Sequence, residues 1–423
     1  MQRQAPVGAF YAWRVRACDG ADRCSPWSPV AFLNVGRVPQ DINGDGYADV
    51  LASIGTSADI YLGGPGFDAR ADQRVTLPSA LGGSGARFVG DLNADGFADV
   101  GLLDNEPALC GASGEFPVVL FGGNNVSSLR TQVFCSAVGS ASVLFKLGLV
   151  GDLNGDGFDD LAFTRELNQV SDAFRVLLGG TTVASTAEIE LDIAIPLPAG
   201  GAMSYPHSFI AVPFDGAADF NGDGFSDVIL SGSRDGTDGG MLRQRLLLGS
   251  SVMNREFASV RDVTGCFGKG IVTLGDVNDD GRGDWGVLCG FQGGSRFGVI
   301  AGGAQLPATL TDGFDTASTL LAISRGADFD SDGSEEVFLT RSGAASFVWR
   351  RGSFNPAAPT VANQVLGGDV LGVADHNGDG RSDLLIWASG AGPSWAAGGA
   401  SLNFTPITLS PSSGTERASG IVF

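Results

Sequence analysis

Seven short acidic segments hold the chemistry legible in this chain. In residues 151–161, GDLNGDGFDDL, Asp152, Asn154, Asp156 and Asp160 fall at positions 1, 3, 5 and 9, so four oxygen-bearing side chains can converge on one cation. Gly157 at position 6 permits a sharp turn, and the backbone carbonyl of Phe158 at position 7 can add a fifth oxygen. Hard oxygen donors without His or Cys select Ca²⁺ over transition metals, and an irregular carboxylate-rich loop suits calcium better than the strict octahedron of magnesium. The same positions 1, 3, 5, 7 and 9 recur as Asp41, Asn43, Asp45, Tyr47 and Asp49; Asp91, Asn93, Asp95, Phe97 and Asp99; and Asp219, Asn221, Asp223, Phe225 and Asp227. They recur again as Asp276, Asn278, Asp280, Arg282 and Asp284; Asp328, Asp330, Asp332, Ser334 and Glu336; and Asp375, Asn377, Asp379, Arg381 and Asp383. The expectation is a calcium cofactor at each loop, up to seven Ca²⁺ ions in all.

What positions these loops is a strand on either side. An EF-hand needs a bidentate Glu at position 12 and a following helix, but position 12 here is Ala52, Leu102, Phe163, Leu230, Val287, Leu339 and Ile386. That excludes EF-hands and dockerins. Short apolar runs such as DVGLLD, DLAFT and DVILSG follow position 9 and read as β-strands. In the second repeat ARFVGD, ADVGLLD, FPVVLFGG and LRTQVFCS read as strands 1 to 4, with the loop between strands 1 and 2. The loops begin at 41, 91, 152, 219, 276, 328 and 375, a spacing of 47 to 67 residues that accommodates one four-stranded blade per repeat.

A second signature follows each loop: YLGG, LFGG, LLGG, LLGS, IAGG and WAAGG, with VWRRG at residues 348–352 as the exception. Together the two halves resemble the FG-GAP repeats of the integrin alpha-chain propeller and its bacterial relatives. The resemblance implies an all-β fold, a seven-bladed β-propeller of four-stranded antiparallel blades with a calcium loop between strands 1 and 2, over residues 37–423. It further implies an extracellular adhesion or ligand-binding module in which calcium is structural. The alternative is a lectin-like carbohydrate-binding propeller, or the scaffold of a polysaccharide-degrading enzyme. Nearly all paired carboxylates are placed for metal, so no catalytic constellation stands out and the chain is expected not to be an enzyme.

Composition agrees. The net charge is -21, but 25 of the 47 acidic residues lie inside the loops, and seven Ca²⁺ (+14) would leave about -7. No basic stripe suggests nucleic acid, and no run of 18 apolar residues suggests a membrane span. Six cysteines form near neighbours, Cys18 with Cys24, Cys110 with Cys135 and Cys266 with Cys289, which points to disulfides and an extracellular, secreted or cell-surface location. Twenty-four Arg against two Lys fits a GC-rich bacterial coding sequence.

Residues 1–36 stand outside the repeat and read as a β-hairpin resembling the end of a fibronectin type III domain, the remnant of a longer protein. Blade one lacks a strand 1, since Pro39 precedes its loop, and residues 416–423 are expected to complete it and close the ring. Arg282-Gly283-Asp284 spells an adhesive tripeptide, but Asp284 is committed at position 9. His376 at position 2 is expected to face solvent. Loop lengths vary on the face opposite the acidic loops, so a protein or glycan ligand is placed there, near Tyr205, His207, Phe209, Arg234 and Asp235. The propeller is expected to be monomeric within a larger chain.

Overall fold

The computed structural model describes residues 9–19, 23–28, 31–35, 38–54, 57–76, 86–104, 115–135, 143–167, 171–183, 187–193, 214–234, 241–264, 267–291, 293–342, 346–351, 360–361, 369–388, 392–400, 402, 404–405 and 407–410. They form eight antiparallel sheets in chain order. The first is the hairpin β1 (Ala9–Trp13) and β2 (Ala31–Val35), in register Tyr11↔Leu33. Beyond it Cys18 and Cys24 are disulfide-bonded.

The remaining sheets are seven blades of a propeller. Blade one has β3 (Val50–Ile54), β4 (Ser57–Tyr61) and β5 (Gln73–Thr76); blade two has β6 (Arg87–Gly90), β7 (Asp99–Asp104), β8 (Phe116–Phe121) and β9 (Arg130–Val133). Blade three runs from β10 (Val143–Gly151) through β11 (Asp160–Leu167) and β12 (Ser171–Leu177) to β13 (Ile189–Asp192). Blade four has β14 (Phe214–Ala218), β15 (Asp227–Arg234), β16 (Met241–Leu247) and β17 (Ser259–Thr264). Blade five has β18 (Phe267–Gly275), β19 (Asp284–Phe291), β20 (Gly294–Ile300) and β21 (Asp312–Thr316). Blade six has β22 (Leu320–Ile323), β23 (Val337–Arg341), β24 (Phe347–Trp349) and β25 (Thr360–Val361). Blade seven has β26 (Asp369–Ala374), β27 (Asp383–Ala388), β28 (Gly392–Ala396) and β29 (Ile407–Thr408). Each sheet follows sequence order, and six of the seven are four-stranded among the described residues. Blade one has three, as expected of a repeat whose loop is preceded by Pro39.

Blades need two apolar faces because each is covered on both sides. Alternate residues of β8 divide accordingly: Val118 and Leu120 join the core shared with blade one, while Val119 and Phe121 join that shared with blade three. Seven such cores exist, one between each pair of neighbours. The seventh sets Leu385, Trp395 and Leu409 of blade seven against Val50, Ala52 and Tyr61 of blade one, so the ring is closed. Ser410 strengthens that seam by donating to Ala69 O (2.8 Å) and accepting from Ala71 N (3.1 Å). The strand expected at 416–423 lies outside the described residues. Inner strands of blades two to seven, with Val38, Pro39 and Gln40 of blade one, border an axial cavity of about 490 Å³, reached by Phe88, Leu149, Ile271, Ile323 and Val373.

Candidate metal centre

In blades two to seven the acidic loop joins the inner strand to the second, in blade one it leads directly into β3, and the third loop is representative. Asp152 sits inside the turn: Oδ1 accepts from Gly155 N (2.7 Å) and Asp156 N (3.1 Å), and Oδ2 accepts from Gly157 N (2.8 Å). Asn154 Nδ2 donates to Asp156 Oδ2 (2.9 Å), and Phe158 N donates to Asp156 Oδ1 (3.1 Å). The same amides ring Asp41, Asp219 and Asp375 in the first, fourth and seventh loops. Wrapping the chain this tightly needs a left-handed residue at position 6, as the sequence indicates, and also at position 4. Gly155 has φ 73°, and Ala94, Asp279 and Ser331 accept φ of 52°, 57° and 60° at the equivalent place.

Position 9 is the anchor. Asp49, Asp99, Asp160, Asp227, Asp284, Glu336 and Asp383 are all fully buried. Asp160 Oδ2 accepts from Leu153 N at position 2 (2.9 Å), and Oδ1 accepts from Gly179 N on the far side of β12 (2.9 Å). Asp49, Asp99, Asp227 and Asp383 repeat both bonds. Burial pushes Asp99 and Asp160 up to about 8, Asp49 and Asp227 to about 7, and Asp284 to about 6, while the backbone donors oppose the shift. Ionised, each opposes folding unless a positive charge stands near.

The paired glycines after strand 3 now have a physical role. The first donates to position 9, and a Cβ there would collide with backbone: at Gly179 it would lie 2.2 Å from Asp159 O. The second couples blades, as Gly123, Gly180, Ser250 and Gly399 donate to Ile42, Leu92, Leu153 and Phe329 O of the preceding loop. Gly64 donates to His376 O (2.7 Å), which carries the chain of contacts across the ring seam. Position 7 side chains follow the same direction, since Phe97, Phe225 and Tyr47 lie over Gly44, Gly155 and Gly378. We expect Gly179→Ala to lower stability by about 2 kcal/mol through this overlap, measured by urea denaturation; an unchanged midpoint would contradict the close approach.

The donor set could hold a divalent cation. The acids at positions 1 and 5 are near enough to position 9 to add repulsion there in loops one to five, and among the described residues no hydrogen-bond donor reaches Asp284 Oδ2. In loop six Asp328, Asp330 and Asp332 bring their oxygens within 4.8 Å of one another. There, however, Arg350 reaches Asp330 Oδ2 (2.8 Å), Asp332 Oδ2 (2.7 Å) and Glu336 Oε1 (2.6 Å).

One expectation is corrected. His376 does not face solvent but is fully buried, with its ring 6.0 Å from that of Phe67. Position 2 is a core position, and Ile42, Leu92, Leu153, Phe220 and Phe329 are equally buried there. Asp284 of the adhesive tripeptide is likewise buried and accepts from Gly302 N (2.8 Å), so it cannot be presented. Tyr205, His207, Phe209 and Asp235 lie outside the described residues, as do Cys110 and Cys266; Cys135 and Cys289 are disulfide-bonded.

Residues 328–386, from position 1 of loop six into β27, match the family model of the FG-GAP-like repeat. This stretch is similar to the FG-GAP-like repeat. The FG-GAP repeat thus includes the departing loop six and the regular loop seven, on a seven-bladed propeller. A search of curated proteins finds no match. Solved structures similar to this chain include BBS1N in complex with ARL6DN, at 11% identity and TM-score 0.47 over 89% of this chain and 92% of that one. They also include the Nup133 β-propeller domain of Vanderwaltozyma polyspora, at 10% identity and TM-score 0.36, covering 69% of this chain and 88% of that one. A third is the rhamnogalacturonan lyase PL11 of Bacillus licheniformis, at 12% identity and TM-score 0.38, covering 97% and 87%.

Proposed function

We propose that this chain is an extracellular, calcium-stabilised propeller of FG-GAP type that serves as a non-enzymatic ligand-binding or adhesion module. The observation that carries this reading is the repeated loop in which acidic side chains of positions 1 and 5 surround a buried position 9 carboxylate. Asp41, Asp91, Asp152, Asp219, Asp276 and Asp375 would hold Ca²⁺ together with positions 3, 5 and 9 and the carbonyl at 7. The ion would offset the charge of the buried acids and lock each loop to its neighbour. Disulfide bonding at Cys18–Cys24, Cys135 and Cys289 supports an oxidising compartment. Among the described residues no helix is long and apolar enough to cross a membrane.

The ligand is assigned to the face opposite the loops. β15 begins at the buried Asp227 of loop four and ends at Arg234, so Arg234 stands at the opposite rim, and repeats three and four carry long connections in sequence at 165–172, 196–213 and 231–240. Loops already filled with metal offer little shape for recognition, whereas those connections vary in length. Screening wild type and Arg234→Ala on a glycan array and a panel of extracellular-matrix proteins tests the assignment. Expected is a hit for wild type that weakens at least tenfold in Arg234→Ala, with an unchanged calcium-dependent melt. A hit that survives Arg234→Ala and is lost in a folded acidic-loop variant places the ligand on the other face.

A further inference from the structure

Blade six departs from the other repeats in three places: Asp330 replaces Asn at position 3, Glu336 replaces Asp at position 9, and Arg350-Arg351 interrupts the glycine signature. The structure brings these departures together. The cross-strand pair Val337↔Trp349 is equivalent to Val100↔Leu120 and Leu161↔Leu177, which aligns Arg351 with the first glycines Gly122 and Gly179 and Arg350 with Phe121 and Leu178. In the other six blades that first glycine donates its amide to position 9. In blade six the second oxygen of position 9 meets a guanidinium instead: Arg350 Nη2 lies 2.6 Å from the buried Glu336 Oε1. The same guanidinium reaches positions 3 and 5, with Nη2 2.8 Å from Asp330 Oδ2 and Nη1 2.7 Å from Asp332 Oδ2. The next residue, Arg351, donates from Nη1 to Asn278 O of loop five (3.1 Å) and so keeps a link to the preceding blade.

We propose that Arg350 is the resident cation of loop six, which therefore takes no Ca²⁺. Position 3 gains a carboxylate for the guanidinium to pair with, and position 9 gains a methylene to reach it. Planar Arg presents several N–H donors in a fixed fork, which suits it to bridging carboxylates, and to admit calcium it would have to leave all three. The arrangement builds one permanently closed, metal-independent blade into a ring whose other joints depend on calcium. This inference rests on the calcium reading of the other six loops.

Equilibrium dialysis against calcium up to 10 mM, followed by metal counting, separates the possibilities. Expected are six Ca²⁺ per wild-type chain and seven for Arg350→Gln, whose loop six then has four uncompensated acids. Asp332→Ala, at an exposed position, should leave the wild-type count at six, whereas Asp156→Ala in loop three should lower it to five. A wild-type count of seven, a fall to five in Asp332→Ala, or a folded Arg350→Gln that still binds six overturns the inference. A wild type that binds none overturns it together with the calcium reading, and is told apart from those results by the zero.

Discussion

Chelation with EDTA should lower the melting temperature by on the order of 10 °C relative to millimolar calcium. Extracellular calcium modules bind at roughly 10⁻⁴ to 10⁻³ M, and free calcium at about ten times the dissociation constant contributes about 1.4 kcal/mol per independent site. Six such loops contribute about 8 kcal/mol, comparable to the whole stability of an ordinary domain. A chain of this size loses on the order of 1 °C per kcal/mol, because its unfolding entropy scales with length. The structural reason lies under the loops: Asp49, Asp99, Asp160 and Asp227 are buried carboxylates raised to about 7 or 8 by desolvation. At neutral pH ionising them opposes the fold, and a cation removes that opposition. Differential scanning calorimetry in the two buffers measures the effect, and coincident melts would contradict it.

Positions 9 and 5 should separate sharply when mutated. Asp160→Ala leaves Leu153 N and Gly179 N without the oxygens they reach at 2.9 Å, in a fully buried place. Each orphaned donor costs about 1 to 3 kcal/mol, offset in part by removal of a desolvated acid, so a loss of about 3 kcal/mol is expected even in EDTA. Asp156→Ala touches only exposed contacts within its loop. It should cost less than about 1 kcal/mol in EDTA and remove one site's share, about 1.4 kcal/mol, in calcium. Chemical denaturation of both variants, with and without calcium, reads the difference. Equal losses in EDTA would show that position 9 is not the anchor described.

Much of this molecule was legible because its design is local and repeated. Loop, strand and turn signals sit within a few residues of one another, and seven copies average out the exceptions. What stayed hidden depends on neighbouring blades. His376 looks polar and exposed by itself, yet the other position 2 residues are Ile, Leu, Leu, Phe, Val and Phe, so comparing the copies would have indicated burial. The paired glycines stand out in the sequence as a signature, but their roles, a backbone approach so close that an added Cβ would lie 2.2 to 2.4 Å from a carbonyl oxygen at Gly63, Gly122 and Gly179, and a hydrogen bond to the preceding loop, are visible only in the fold. Such contacts join residues far apart in the chain: Asp91 N donates to Asp159 Oδ2, 68 positions away. Blade six was visible as an outlier at Asp330, Glu336 and Arg350, but only the fold shows that the three residues meet.

Diffraction from crystals grown in calcium, recorded at a wavelength where calcium scatters anomalously, tests the calcium-stabilised ring most directly. Expected are six anomalous peaks, one inside each of the loops beginning at Asp41, Asp91, Asp152, Asp219, Asp276 and Asp375, with the Arg350 guanidinium in the seventh. A map with no peak in these loops would contradict it.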